Sequence, residues 1–71
     1  MDYIYADTLS LDQLLPGDFV EVNDYNENII VKLKTIEERE NDWLLTCWDE
    51  FGDSCEFVIE SDKKIKLYVF K

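Results

Sequence analysis

The chain has 71 residues, 17 of them acidic and 7 basic, with no histidine and a formal net charge of −10. That length accommodates one hydrophobic core and hence one domain over residues 1–71, and a hydrophobic content of 46% separates it from disordered chains. The charge argues against direct binding to nucleic acid or anionic lipid, since each phosphate contact needs local positive charge. The missing imidazole removes the commonest acid–base and nucleophile-activating chemistry.

The charge is uneven. Asp2, Asp7, Asp12, Asp18, Glu21, Asp24 and Glu27 all precede the first basic residue, Lys32. Between Glu37 and Asp62 only Arg39 is basic, and the tail reverses sign with Lys63, Lys64, Lys66 and Lys71. The start Met1-Asp2-Tyr3 lacks the basic residues and apolar run of an export signal. No stretch approaches the ~20 apolar residues of a spanning helix. A cytoplasmic location is expected, in which Cys47 and Cys55 are thiols.

In chain order, Tyr3-Ile4-Tyr5-Ala6 reads as a short strand with Ile4 and Ala6 on one face and the two tyrosines on the other. Thr8 to Leu15 is a connector in which Ser10 could cap a single helical turn ended by Pro16-Gly17. Pro16-Gly17-Asp18 is a turn signal, with proline and glycine at the two central positions of a type II turn. Phe19 to Asn23 is the next strand, Val20 and Val22 facing the core, and Asp24 to Asn28 is a polar turn. Ile29 to Glu38 forms the longest strand. Its apolar positions shift from Ile29, Val31 and Leu33 to Ile36, which predicts a bulge near Thr35.

Trp43 to Glu60 reads as a hairpin with Glu50-Phe51-Gly52 as a three-residue loop and Gly52 at its left-handed position. That register opposes Asp49 to Asp53 and Cys47 to Cys55. It places Trp43, Leu45, Cys47, Cys55, Phe57 and Ile59 on one face. A slip by one residue would bury Glu56 and Glu60 instead. Ser61 to Lys64 turns the chain, and Ile65, Leu67 and Val69 face inward on a last strand. The fold class predicted is all-β: a small antiparallel barrel of five to six strands, arranged as a curled meander, with at most one short helical turn.

The phrase Leu14-Leu15-Pro16-Gly17-Asp18-Phe19-Val20-Glu21-Val22, followed by a long strand, two hairpins and a last strand, resembles small SH3-like barrel domains. The resemblance extends over nearly the whole chain as architecture. SH3 domains proper take proline-rich peptides in an aromatic groove set by their first long loop. Here that loop is the short Asp24–Asn28 turn, so the resemblance implies the barrel rather than that ligand. Lone barrels of this size are also similar to bacteriophage accessory proteins, which would imply a host cytoplasm as the setting.

Two thiols are too few for a zinc site, and the carboxylates around Gly52 lack the spacing of a calcium loop. No metal, cofactor or catalytic residue is expected, and the chain reads as a non-enzyme. Tyr3, Tyr5, Leu44, Trp48, Tyr68 and Phe70 fall on the outward face and form a candidate protein interface, rich in the preferred anchors tyrosine and tryptophan. Glu37, Glu38, Glu40 and Asp42 form one acidic turn, and Asp49, Glu50 and Asp53 another. The expected function is that of a non-catalytic acidic interaction module, self-associating into a homo-oligomer or binding a protein partner through the aromatic face. An acidic mimic of DNA, occupying the basic cleft of a nucleic-acid-binding protein, is the alternative.

Overall fold

A computed structural model describes residues 2–70. Six strands follow in order: β1 (Tyr3–Ser10), β2 (Phe19–Asp24), β3 (Glu27–Glu38), β4 (Asp42–Trp48), β5 (Ser54–Glu60) and β6 (Lys64–Phe70). The helical content is one 3₁₀ turn, Leu11–Gln13, between β1 and β2. Its entry is fixed by Gln13, whose Oε1 accepts a hydrogen bond from the Ser10 N–H at 2.9 Å. The turn carries Leu11 into the core, and Leu14 follows it.

All pairings are antiparallel, and the sheet order is β1-β6-β2-β3-β4-β5. The predicted meander therefore holds from β2 to β5 and fails for the last strand, which inserts between β1 and β2. The reason lies in what β6 meets on its two edges: on the core side Ile65 pairs with Leu9 of β1 and Leu67 with Val20 of β2, so both apolar side chains find apolar neighbours there. Its junction with β2 is short, Phe19↔Tyr68 and Val20↔Leu67 alone. No ladder joins β1 to β5 among the described residues. The sheet is thus open at that seam, a small antiparallel fold compatible with a barrel-like shape.

Two bulges shape the sheet. In β3, Leu33 faces Cys47 while Thr35 faces Thr46, so Lys34 is the extra residue, one position before the predicted Thr35. In β1, Tyr5 faces Tyr68 and Asp7 faces Leu67, so Ala6 is extra. This strand is longer than the Tyr3–Ala6 segment expected. Beyond the bulge it continues through Leu9, which packs against the core, and the pairing of Leu9 with Ile65 accounts for the extension.

Turn chemistry follows the sequence closely. Gly17 has φ +97°, the Asp18 N–H donates to the Leu15 carbonyl, and the turn is bolted to β3 by Gly17 N–H to Leu33 O and Leu33 N–H to Asp18 O, both 2.7 Å. The β4–β5 hairpin has the predicted register throughout, including Cys47↔Cys55, and Gly52 sits at φ +82°. The β2–β3 connection is tighter than the predicted polar turn. Tyr25 and Asn26 alone span it, both at positive φ (50° and 67°), as a mirror-type hairpin turn requires.

The core comprises Leu11, Leu14, Val20, Val22, Val31, Leu33, Leu45, Cys47 and Ile65. Each branched side chain withdrawn from water in this way stabilises the fold by roughly 1.5–3 kcal/mol. Ile4 and Val69, inward by alternation, lie at the open end of the sheet and remain exposed. No helix among the described residues is long and apolar enough to cross a membrane.

Candidate functional site

Alternation and register together build one outward surface. Reading across the strands, Tyr5 pairs with Tyr68, Tyr68 with Phe19, Phe19 with Lys32 and Lys32 with Trp48. This row crosses five strands of the sheet on the side away from the core. One step along β1, Tyr3 pairs with Phe70. The rings form a triad, with Tyr3–Phe19 at 5.3 Å, Tyr3–Phe70 at 5.5 Å and Phe19–Phe70 at 6.0 Å between centroids, and beside it a pair, Tyr5–Tyr68 at 6.0 Å. Tilted and edge-on pairs in this distance range add about 0.5–1.5 kcal/mol each beyond simple burial.

Of the six predicted interface residues, Tyr3, Tyr5, Tyr68 and Phe70 belong to this cluster, and Trp48 extends it across β3. Leu44 does not join them. It stands at the far end of β4 between Glu37 and Val58. Phe19 was missed, although it lies outward by the same count that turns Val20 inward. A residue opening a strand beside a Pro-Gly-Asp turn reads as a boundary rather than as part of a face.

The electrostatics of this surface differ from those of the chain as a whole. Lys32, Lys34 and Lys66, three of the seven basic residues, all stand on it. The Lys34 ammonium lies 4.4 Å from the Trp48 ring centroid, and that of Lys32 lies 6.0 Å from the Phe19 ring. Glu21 is the carboxylate at its centre, and it is engaged: the Tyr68 hydroxyl donates to it at 2.8 Å and Lys66 approaches to 4.0 Å. That hydrogen bond, with some loss of hydration and the neighbouring negative charge, holds the Tyr68 phenol above its ordinary pKa. Tyr5 is tied by a 2.6 Å hydrogen bond to Thr8 across the Ala6 bulge. Tyr5 and Phe70 remain half exposed, at 51% and 50%, and Trp48 is 37% exposed.

The two acidic turns lie at opposite ends of β4. Seven residues at ~3.3 Å each put them roughly 20 Å apart. Glu37, Glu38, Glu40 and Asp42 therefore form no common site with Asp49, Glu50 and Asp53. Two of these carboxylates are occupied locally. Asp42 takes a 2.6 Å hydrogen bond from Arg39, which holds the guanidinium pKa up. Asp49 accepts the Phe51 and Asp53 N–H groups at 2.9 and 2.8 Å, so its carboxylate shapes the loop. The second turn instead meets the β2–β3 hairpin. Asp24, Glu27, Asp49, Glu50 and Glu56 rim a cleft of about 700 Å³ whose floor includes Ile29, Val31, Cys55 and Phe57.

Cys47 and Cys55 face each other as free thiols, with the Cys55 Sγ–H directed at the Cys47 carbonyl at 3.5 Å. Burial pushes the Cys47 thiol up to about 12, with a smaller push from Cys55. Loss of hydration raises Cys55 as well, followed by the negative charges of Asp49, Asp24 and Asp53. No group of three or more potential metal-ligating side chains converges among the described residues. Searches for a matching protein-family model, a characterised related sequence and a solved structure of the same fold gave no match to this chain.

Proposed function

We propose that this protein is a non-catalytic interaction module that self-associates through the outward aromatic surface. The observation that carries the reading is the breadth of that surface: a triad of rings and an adjoining pair, with Trp48 across β3, among which stand three lysines and one carboxylate, Glu21, that is already engaged. A chain of net charge −10 repels its own copies. Repulsion is least where Lys32, Lys34 and Lys66 gather, and it is there that the apolar rings are exposed. A standard interface takes roughly 800 Å² from each partner, about a sixth of the 5088 Å² surface. Both thiols are shifted toward the protonated form, Cys47 by burial most of all, which weakens them as nucleophiles at neutral pH. Within this proposal the fold is of the SH3-like barrel kind, and the setting is cytoplasmic, in a bacteriophage host if the likeness to phage accessory proteins holds.

Sedimentation at ~100 μM, well above the micromolar range of weak interfaces, should give a mass above the 8.5 kDa of one chain. Phe70→Ser and Trp48→Ala should lower it, while Leu44→Ala should not. A monomer at that concentration would assign the rings to a different protein. The acidic-mimic reading rests on charge, and it predicts a partner lost at half-molar salt and on reversing Glu38, Glu40, Asp49 and Glu50 to lysine.

A further inference from the structure

We propose that the open edge of β5 accepts an extended strand from a partner polypeptide, one that alternates aliphatic with basic side chains. β5 pairs with β4 alone, and its other edge is free among the described residues. Antiparallel ladders alternate between bonded and non-bonded pairs. The Asp49 N–H donates to the Asp53 carbonyl at 2.9 Å, so the bonded pairs that follow are Cys47–Cys55, Leu45–Phe57 and Trp43–Ile59. Ser54, Glu56 and Val58 are left with both backbone groups directed at the open edge, and Glu60 with its N–H, its carbonyl being taken by the Lys63 N–H at 3.0 Å. These are the donors and acceptors of a ladder without a second strand.

The side chains on the inner side of this edge are also incompletely covered. Cys55, Phe57 and Ile59 pack on the core yet remain half-buried. Two clefts run along them and share Phe57 as a wall, one of about 700 Å³ toward the 49–51 loop and one of about 320 Å³ toward Lys63 and Lys64. An added strand would lay alternate residues into these clefts, and aliphatic side chains match that floor. Its other residues would stand beside Glu56 and Glu60 on the outer side, with Asp24, Asp49 and Glu50 beyond one end. Like charges directly opposite across a ladder destabilise, and opposite charges stabilise. The incoming strand must therefore be basic on its outer side, with its most basic end at the 49–51 loop.

The same charges reject a second copy, whose β5 would set Glu56 and Glu60 against their equivalents. The other edge of the sheet is a poorer acceptor, because the Ala6 bulge breaks the spacing of β1. The strand site touches the aromatic surface at Tyr3, which lines the larger cleft, but its backbone donors and acceptors do not depend on that surface.

The test uses the whole chain and a nine-residue peptide of alternating valine and lysine with blocked ends. Amide exchange should slow at Glu56 and Val58 on binding. N-methylation of alternate peptide residues, which removes the donors facing β5 and keeps every side chain, should weaken binding at least tenfold. A peptide of the same composition with its lysines in one block should also bind at least tenfold more weakly. Val58→Pro deletes an N–H aimed at the open edge and spares the ladder to β4, a position where proline is tolerated. It should abolish binding, and Tyr5→Ser should not. Equal binding by the N-methylated or block peptide would overturn the proposal, since charge alone would then account for it. So would protection centred on the 37–42 turn or an absence of binding. If Val58→Pro fails to fold, the N-methylated peptide decides.

Discussion

Cys47 shows how burial converts a reactive group into a packing element. Its thiol is closed off from solvent at the centre of the sheet, and its pKa stands near 12 against an ordinary 9.0. Between those two values the unfolded chain loses the thiol proton while the folded chain keeps it. The unfolded state therefore binds fewer protons, and stability must fall as pH rises through that window. Cys55 and Tyr68 are raised too and act in the same direction. In urea titrations from pH 8 upward, Cys47→Ala should start less stable and decline less steeply than the parent chain. Parallel declines would mean that Cys47 ionises normally in the fold. At neutral pH a thiol reagent should leave Cys47 unmodified until the chain is denatured.

The β2–β3 hairpin carries a residue that its turn does not favour. Tyr25 sits at φ +50° with its ring 96% exposed, so it takes up a left-handed conformation with no compensating contact. Tyr25→Asn should raise stability by about 0.5–1 kcal/mol, read as a higher urea midpoint, because asparagine tolerates that region. An unchanged or lower midpoint would show that the ring contributes to the fold after all. Local chemistry of this kind was largely legible in the sequence. The β4–β5 hairpin could be read to the residue because only one register kept Glu56 and Glu60 out of the core. The Lys34 bulge showed as a change of phase in the apolar pattern. The second half of β1 was hidden, since Asp7, Thr8 and Ser10 interrupt the pattern and only Leu9 reaches inward. Parity alone put Tyr3, Tyr5, Trp48, Tyr68 and Phe70 on one side of the sheet but missed Phe19 at its strand boundary. Leu44 shares that side yet stands apart from the rings, because parity gives the side of a sheet and not the distance along it.

Strand order was legible only where tight turns join neighbours, from β2 to β5; the place of β6 was not, since alternation says which residues share a face and nothing about which distant strand lies beside which. That order sets the charge distribution of the molecule. Three lysines collect among the rings, while carboxylates take the hairpin ends and the β5 edge. Self-repulsion over the acidic remainder should make the fold salt-sensitive. Raising ionic strength from ~10 to ~150 mM shortens the screening length from about 30 to about 8 Å, and the thermal midpoint should rise with it. A midpoint indifferent to salt would mean that the seven basic residues already neutralise their surroundings.

The placement of β6 between β1 and β2 also governs the order in which this domain can assemble. During synthesis β1 emerges well before β6, the strand it pairs with, and Tyr3 must wait for Phe70. The four strands between can zip locally, each onto its predecessor, but the rings of Tyr3 and Tyr5 stay unshielded until β6 has emerged. Closing so long a loop is slow relative to adjacent hairpins. In refolding experiments the amides of β4 and β5 should gain exchange protection first and those of β1 last. Simultaneous protection would mean that the two ends meet before the middle is built.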